Sequence, residues 1–555
     1  MKFDKIKTGV ALIVLLFVGA GVLAQQKNAT EAAIQQAIKK SWGASVKAFA
    51  YDTLKRAQAG GPFSAVVVTA DGYMLSVAHA VRLGMTYKIF FPDGRTAIAQ
   101  GQGRIDLNAE ETLPDIAVMK ILDAGAWPFA EMGSSAGLTK GAPCLMLAYP
   151  ESTGMPLPNV RFGYVTDPLD KNRFVVSDCT MEIGDSGGPV FDLEGKVIGL
   201  NSRCEPAERI NYHVPVDEYR KYWTSLLKHQ NYTRYPTEDS AGAVSAHAAL
   251  MPEWPLPSLE IEKSRLPVNI ISQLDNKEKE TAGTIWKTSR KGTWIIGKSS
   301  DLGESPVLRS AKGKSVPLKV LARHKENDLV LLFSAERITD RNDDISRDVQ
   351  AEVPALGSFI YVPLPSGQQK RGVVSTAATN MPPRSTAGYL GLMLIDKSDA
   401  ATVEFLDPNG PAGKAGIRRG DVFVCINEAR PEDATGFSNE LLKYPPMQTI
   451  KIGLERGDSI IYKEVVLGER PVQQPTHASE LYEGGKSRIR DGFKEAWLCD
   501  AHVRSTECGA PVYGPDGRWC GIVIARFSRT ATVVLPASLV RDWLSGMDLD
   551  GMLKV

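Results

Sequence analysis

One stretch of this sequence occurs twice. Asp178 to Gly199 aligns without a gap on Asp500 to Gly521, at a constant offset of 322 residues. Within it Asp185-Ser186-Gly187-Gly188-Pro189-Val190 faces Glu507-Cys508-Gly509-Ala510-Pro511-Val512. Upstream, Asp115-Ile116-Ala117-Val118-Met119 is echoed by Asp328-Leu329-Val330-Leu331-Leu332, and Gly72-Tyr73-Met74-Leu75 by Gly292-Thr293-Trp294-Ile295. Three echoes in one order imply two copies of one architecture. The copies differ in length: 11 residues separate Gly163-Tyr164-Val165-Thr166 from Asp178, but 124 separate Gly372-Val373-Val374-Ser375 from Asp500. Roughly 80 of the extra residues, Gly388 to Gly468, read as a compact unit inserted in a loop, which surface loops tolerate.

The repeated unit is β-rich. Ala65-Val66-Val67-Val68, Phe162-Gly163-Tyr164-Val165, Phe174-Val175-Val176 and Val197-Ile198-Gly199-Leu200 are short runs bounded by Gly, Pro and Asp turns, the pattern of an all-β barrel or sandwich. Ala29 to Arg56 reads as helix and then strand, and Val216 to Leu227 as a closing helix. Residues 228 to 262 hold Pro236, Pro252, Pro255 and Pro257 without a sustained period, and read as a connector. A chain of 555 residues has room for about three domains.

Lys2, Lys5 and Lys7 precede the apolar run Val10 to Val22 and a small residue, Ala24, which predicts an export signal over residues 1–24. An uncleaved anchor is the other reading, although the run is shorter than the ~20 residues of a usual span. Losing Lys2, Asp4, Lys5 and Lys7 takes 65 basic and 64 acidic residues to 62 and 63, a balance that leaves no footprint for nucleic acid. Seven cysteines are spaced too widely for a zinc site. Export would permit Cys179–Cys204 and Cys499–Cys520 disulfides, and buried free thiols fit equally well.

Ser186 in Gly184-Asp185-Ser186-Gly187-Gly188-Pro189 is the candidate nucleophile. Glycines admit the tight turn such a serine needs, and the Gly184 and Ser186 N–H groups are the candidate oxyanion hole. A serine nucleophile requires a base, and the base an orienter. His79 follows a strand-like run and Asp115 opens another, where a carboxylate is costly to bury without a partner such as an imidazole N–H. No metal or other cofactor is needed for this chemistry.

With those motifs, residues 32–227 resemble a trypsin/chymotrypsin-fold serine protease of the HtrA/Deg type. The order His, Asp, Ser is the one found in that fold. The resemblance implies an all-β, chymotrypsin-like double β-barrel, with the triad in the cleft and internal peptide bonds of unfolded or misfolded proteins as substrates. It places the substrate pocket at Thr180, Met181 and Glu182, with Asn201, Ser202 and Arg203 as the other wall. Because Thr180 stands where trypsin-like enzymes carry an aspartate, it favours an aliphatic residue before the cut, with Glu182 as a departure.

Residues 276–386 and 470–545, following a linker over 228–275, resemble a degenerate second copy in which Ser299, Asp328 and Cys508 take the triad positions. Thr506 and Ala510 replace Gly184 and Gly188, and none of His324, His477 and His502 falls at the base position. Residues 387–469 resemble an α+β PDZ domain through Tyr389-Leu390-Gly391-Leu392, Asp407 to Ile417 and Gly420 to Asn427. That implies C-terminal peptides as ligands, captured by loop N–H groups and a strand edge near the helix bearing Phe437. The resemblance leaves a homo-oligomer open, since the trimer-forming N-terminal elements are not recognisable in Gln25 to Arg56. The location it implies is periplasmic or secreted. The rival reading is an exported peptide-binding or chaperone-like adaptor that keeps the fold without turnover.

Overall fold

The computed structural model describes residues 29–107, 115–239, 259–309, 315–339, 344–398, 400–471 and 474–553. The predicted export signal and most of the connector lie outside them. Among the described residues no helix is long and apolar enough to cross a membrane.

Six strands make the first barrel: β1 (Ser45–Asp52), β2 (Ala57–Val67), β3 (Tyr73–Ser76), β4 (Thr86–Phe90), β5 (Thr96–Ile105) and β6 (Ile116–Ile121). They run in the order β5-β4-β1-β2-β3-β6, and pairing of β5 with β6 closes the ring. Alternation along β5, with Ala97, Ala99 and Ile105 inside and Gln100 and Arg104 less buried, is what a one-sided barrel wall requires. Six more strands form a second closed barrel: β7 (Pro143–Ala148), β8 (Asn159–Asp167), β9 (Val175–Ser177), β10 (Pro189–Phe191), β11 (Val197–Cys204) and β12 (Asn211–Pro215). Leu75, Val118, Leu145, Val160, Phe191 and Leu200 fill the shared core between the two barrels. The predicted closing helix is two short ones, Val216–Lys221 and Trp223–Leu226.

The duplicated half repeats this path with looser closure. One seven-stranded sheet spans 268–334, and a six-stranded sheet is assembled from Phe359–Pro363, Gln369–Val373 and four strands between 497 and 536. In the second sheet the ends meet only through a single bridge, Val374 to Cys499. The strand Val268–Leu274 lies inside the segment read as linker, where its apolar alternation is short and flanked by proline. All seven cysteines are free, so neither candidate disulfide forms.

A five-stranded sheet over 392–466 with the helix Ala434–Leu441 forms the inserted unit. Phe437 packs into its core against Phe423, with ring centroids 5.5 Å apart. The two large copies touch extensively. Ile34 and Ile38 of the helix over 29–41 cover Gly357, Phe162 meets Phe359 edge to face at 5.5 Å, and a cavity of about 770 Å³ lies between the copies beside His502 and Arg526.

Candidate active site

Strands β3 and β6 are antiparallel neighbours, with Ser76 opposite Ala117, so residues just after β3 and just before β6 leave the sheet at the same end. That register brings His79 to Asp115. Asp115 Oδ2 lies 2.8 Å from His79 Nδ1, and Oδ1 accepts the His79 backbone N–H at 3.0 Å. Ser202 Oγ donates to the same carboxylate at 2.6 Å. With Nδ1–H directed at Asp115, Nε2 keeps its lone pair, the tautomer a general base needs. Burial alone pulls the His79 pKa down, but its bond to Asp115 and that residue's charge outweigh it, and the net shift is upward. Burial pushes Asp115 the other way, and hydrogen bonds from His79 and Ser202 more than reverse it, holding the carboxylate ionised.

The turn around Ser186 is shaped by close approach. Gly184 has φ +96°, and a Cβ there would stand 2.5 Å from the Glu151 nitrogen and 2.6 Å from the Tyr149 oxygen. Only glycine fits. Ser64 of β2 clamps the turn: its N–H donates to the Ser186 carbonyl at 2.9 Å and its Oγ to the Gly184 carbonyl at 2.8 Å. The N–H groups of Asp185, Gly187 and Gly188 bond the carbonyls of Glu182, Asn201 and Asp185. Among the described residues the N–H groups of Gly184 and Ser186 find no acceptor, the condition for donors awaiting an oxyanion. Ser186 is half-buried, and its hydroxyl makes no hydrogen bond to His79. Such bonds often tighten only when substrate binds.

Under the turn lies a fully buried ion pair. Arg161 on β8 reaches Asp185 with both guanidinium nitrogens, at 2.5 and 2.7 Å, and donates to the Thr180 carbonyl at 3.1 Å. Asn201 Nδ2 donates to the Asp185 carbonyl at 3.2 Å, while its Oδ1 lies 3.0 Å from His213 Nδ1. Burial lowers the His213 pKa to about 3, so this imidazole is a neutral structural group. Reading the sequence missed Arg161, Ser64 and His213. The one signal was a lone arginine between Val160 and Phe162 in a strand pattern.

Of the pocket residues, Thr180, Met181 and Glu182 are buried, and Thr180 Oγ1 lies 2.7 Å from His502 Nε2 of the second copy. Ser152 donates to the Glu182 carboxyl, and burial together with the Asp185 charge raises its pKa. In the expected second wall Asn201 braces the turn, Ser202 donates to Asp115, and Arg203 lies over the Phe174 ring at 4.8 Å.

In the second copy Lys298 sits opposite Leu329, so Ser299 and Asp328 again leave the sheet together, and the Ser299 N–H bonds the Asp328 carbonyl at 2.7 Å. Asp328 is neutralised by buried Lys298 at 2.5 Å rather than by an imidazole. The Ser299 hydroxyl accepts from Arg323 at 2.7 Å. Cys508 is fully buried, and burial pushes its thiol up to about 11. Among the described residues its sulfur meets Ser487 Oγ and the Arg504 carbonyl, and no imidazole.

In the inserted unit, the carbonyls of Leu390 and Gly391 are taken by the N–H groups of Ala412 and Asp407, each at 2.8 Å. The N–H groups of Leu390 and Gly391 have no acceptor among the described residues. Gly391 lies at φ +79°, and Tyr389 and Leu392 flank it at the start of the edge strand Leu392–Lys397, which lies beside β2.

Comparison with known proteins finds matches to two parts of the chain. The trypsin-like peptidase domain pattern matches residues 63–200, and the PDZ domain pattern matches residues 388–466. A probable periplasmic serine endoprotease, DegP-like, of Halomonas elongata is 21% identical over 425 residues, covering 73% of this chain and 79% of its own. Its counterpart in Hahella chejuensis is 24% identical over 429 residues, covering 70% and 76%. Human serine protease HTRA4 is 29% identical over 174 residues, which is 30% of this chain and 35% of that one.

Proposed function

We propose that this chain, a serine endopeptidase with an HtrA/Deg-type trypsin-like fold and a PDZ domain, is exported and cuts internal bonds of unfolded proteins with Ser186, His79 and Asp115. Ser186 Oγ attacks the carbonyl, His79 Nε2 takes the proton and returns it to the leaving amine, and Asp115 stabilises the imidazolium. The Gly184 and Ser186 N–H groups receive the oxyanion, each such donor contributing about 10²-fold or more to the rate. The observation that carries the reading is the pair of unsatisfied N–H groups on a turn braced by Ser64 and Arg161. In the second copy the N–H at the position of Ser186, that of Cys508, is paired with the Ser505 carbonyl.

Periplasmic location is taken from the DegP-like relatives and from the N-terminal sequence. The PDZ module supplies the substrate-recruiting role, its free Leu390 and Gly391 N–H groups suiting a terminal carboxylate. The second copy, with Lys298 and buried Cys508 in place of working groups, is non-catalytic.

Mature protein should degrade unfolded casein and be labelled by a fluorophosphonate at Ser186. Protein that does neither, with C-terminal peptides present, sinks the enzyme reading. The missing Ser186–His79 bond would then favour the adaptor.

A further inference from the structure

The non-catalytic copy is not a bystander to the first barrel's pocket. Thr180 and His502 occupy the same position in the two copies, and they touch at 2.7 Å. The Met181 N–H is held by Asn211 Oδ1 at 3.1 Å, and the same oxygen lies 3.5 Å from Arg529. Ser528 stands near the Glu182 carboxyl and favours its ionised form. Thr180 and Met181 are therefore tied, directly or through one side chain, to the second copy, and Glu182 faces it.

Arg529 is the centre of this contact. It is fully buried, and its guanidinium donates to the carbonyls of Glu205 at 2.6 Å, Ala207 at 3.0 Å and Pro206 at 3.4 Å. Those carbonyls belong to the loop that leaves β11 directly after Asn201, Ser202 and Arg203. Neighbouring Arg526, also buried, bonds Glu208 at 2.5 Å. An exposed loop with this many carbonyls has no intrinsic reason to hold one shape. A planar fork of donors inserted into it supplies one.

We infer that the second barrel is a built-in scaffold for the substrate pocket of the first, with Arg529 and His502 as positioning residues that set the shape of the pocket and its preference before the cut. The inference rests on the proposed peptidase reading. It gives the degenerate copy a function that outlasts the loss of its own triad: the pocket is incomplete without it.

The test uses the full-length chain. Arg529→Ala should lower kcat/KM on the best short peptide substrate about 10-fold or more, mainly through KM, and broaden the preference for the residue before the cut. Guanidinium ion, well below unfolding concentrations, should restore part of the loss. Amide exchange over residues 205–212 and at Met181 should rise at least about 10-fold. Arg456→Ala, which breaks a pair inside the PDZ unit, should leave the preference unchanged. If Arg529→Ala does not fold, His502→Ala, at a partly exposed side chain, should shift the preference in the same direction. An unchanged preference with unchanged exchange in a folded variant overturns the inference. A wild-type chain without turnover or fluorophosphonate labelling defeats the peptidase reading instead, and exchange alone then decides whether Arg529 shapes the loop.

Discussion

The turn at Gly184 to Pro189 and its copy at Thr506 to Pro511 follow the same path with opposite outcomes for their hydrogen bonds. In the first, Ser186 N–H is left without an acceptor while Ser64 holds the Gly184 and Ser186 carbonyls and a buried arginine holds the Asp185 carboxylate. In the second, Ser505–Glu507 winds into a short 3₁₀ turn, and the Cys508 N–H bonds the Ser505 carbonyl at 3.4 Å. Glu507, facing Asp185, bonds the Arg504 N–H at 2.8 Å instead of a buried guanidinium. A catalytic turn has to keep donors unsatisfied, which is unfavourable in a folded chain unless other contacts enforce it. At Cys508 the backbone closes on itself. The partners of the two aspartates differ as well: Asp115 meets the His79 imidazole, whereas Asp328 meets Lys298, which stands at the position of Ala78.

The largest effect that would break this contrast is at the nucleophiles. Ser186→Ala should reduce casein hydrolysis by about 10⁴-fold or more, and Cys508→Ala should leave it unchanged. Residual activity lost only on mutating Cys508 would show the second turn to be alive. Next comes the brace. Arg161→Met strands Asp185 in a site where both side chains are almost wholly buried, at 1% and 0% exposure, and should cost about 3–5 kcal/mol in denaturant unfolding of the first domain. Pairing it with Asp185→Leu should recover much of that stability but not the activity.

A third prediction concerns Asp500, which accepts Val373 N–H at 2.6 Å and Phe162 N–H at 2.8 Å where the copies meet. Burial raises its pKa from 3.8 to about 6. The folded state therefore holds this proton where the unfolded chain has released it. Its contribution to stability is full below about pH 4 and declines as pH rises to about 6, by on the order of 3 kcal/mol. Asp500→Asn should remove that component from a pH series of unfolding midpoints. The smallest effect sharpens the comparison most. Thr506→Gly restores the glycine of the working turn, and should change stability by about 1 kcal/mol or less without creating activity, because Lys298 and Ser299 still replace Ala78 and His79.

The triad candidates were legible because each stands at the edge of a strand whose apolar run is visible: His79 after β3, Asp115 before β6, Ser186 before β10. The role of Ser202 was not. A serine on a strand carries no sign that its hydroxyl will reach a carboxylate 87 residues earlier. Arg161 stood out as a lone arginine in a strand pattern, but its partner did not, since Asp185 arrives beneath it from another loop.

By itself the sequence determined that the chain holds two related β units, that one kept His79, Asp115 and Ser186 in order, that the other lost its imidazole, and that a third unit interrupts the second copy. These are properties of local pattern and residue chemistry, which a linear string preserves. Only the tertiary structure decided that Gly184 and Ser186 keep N–H groups without an acceptor, that neither candidate disulfide closes, and that His502 reaches Thr180 and Arg529 the loop after β11. Those outcomes join residues up to 324 positions apart. They depend on where loops are carried by the closure of barrels, for which no periodicity or spacing in the chain provides a signal.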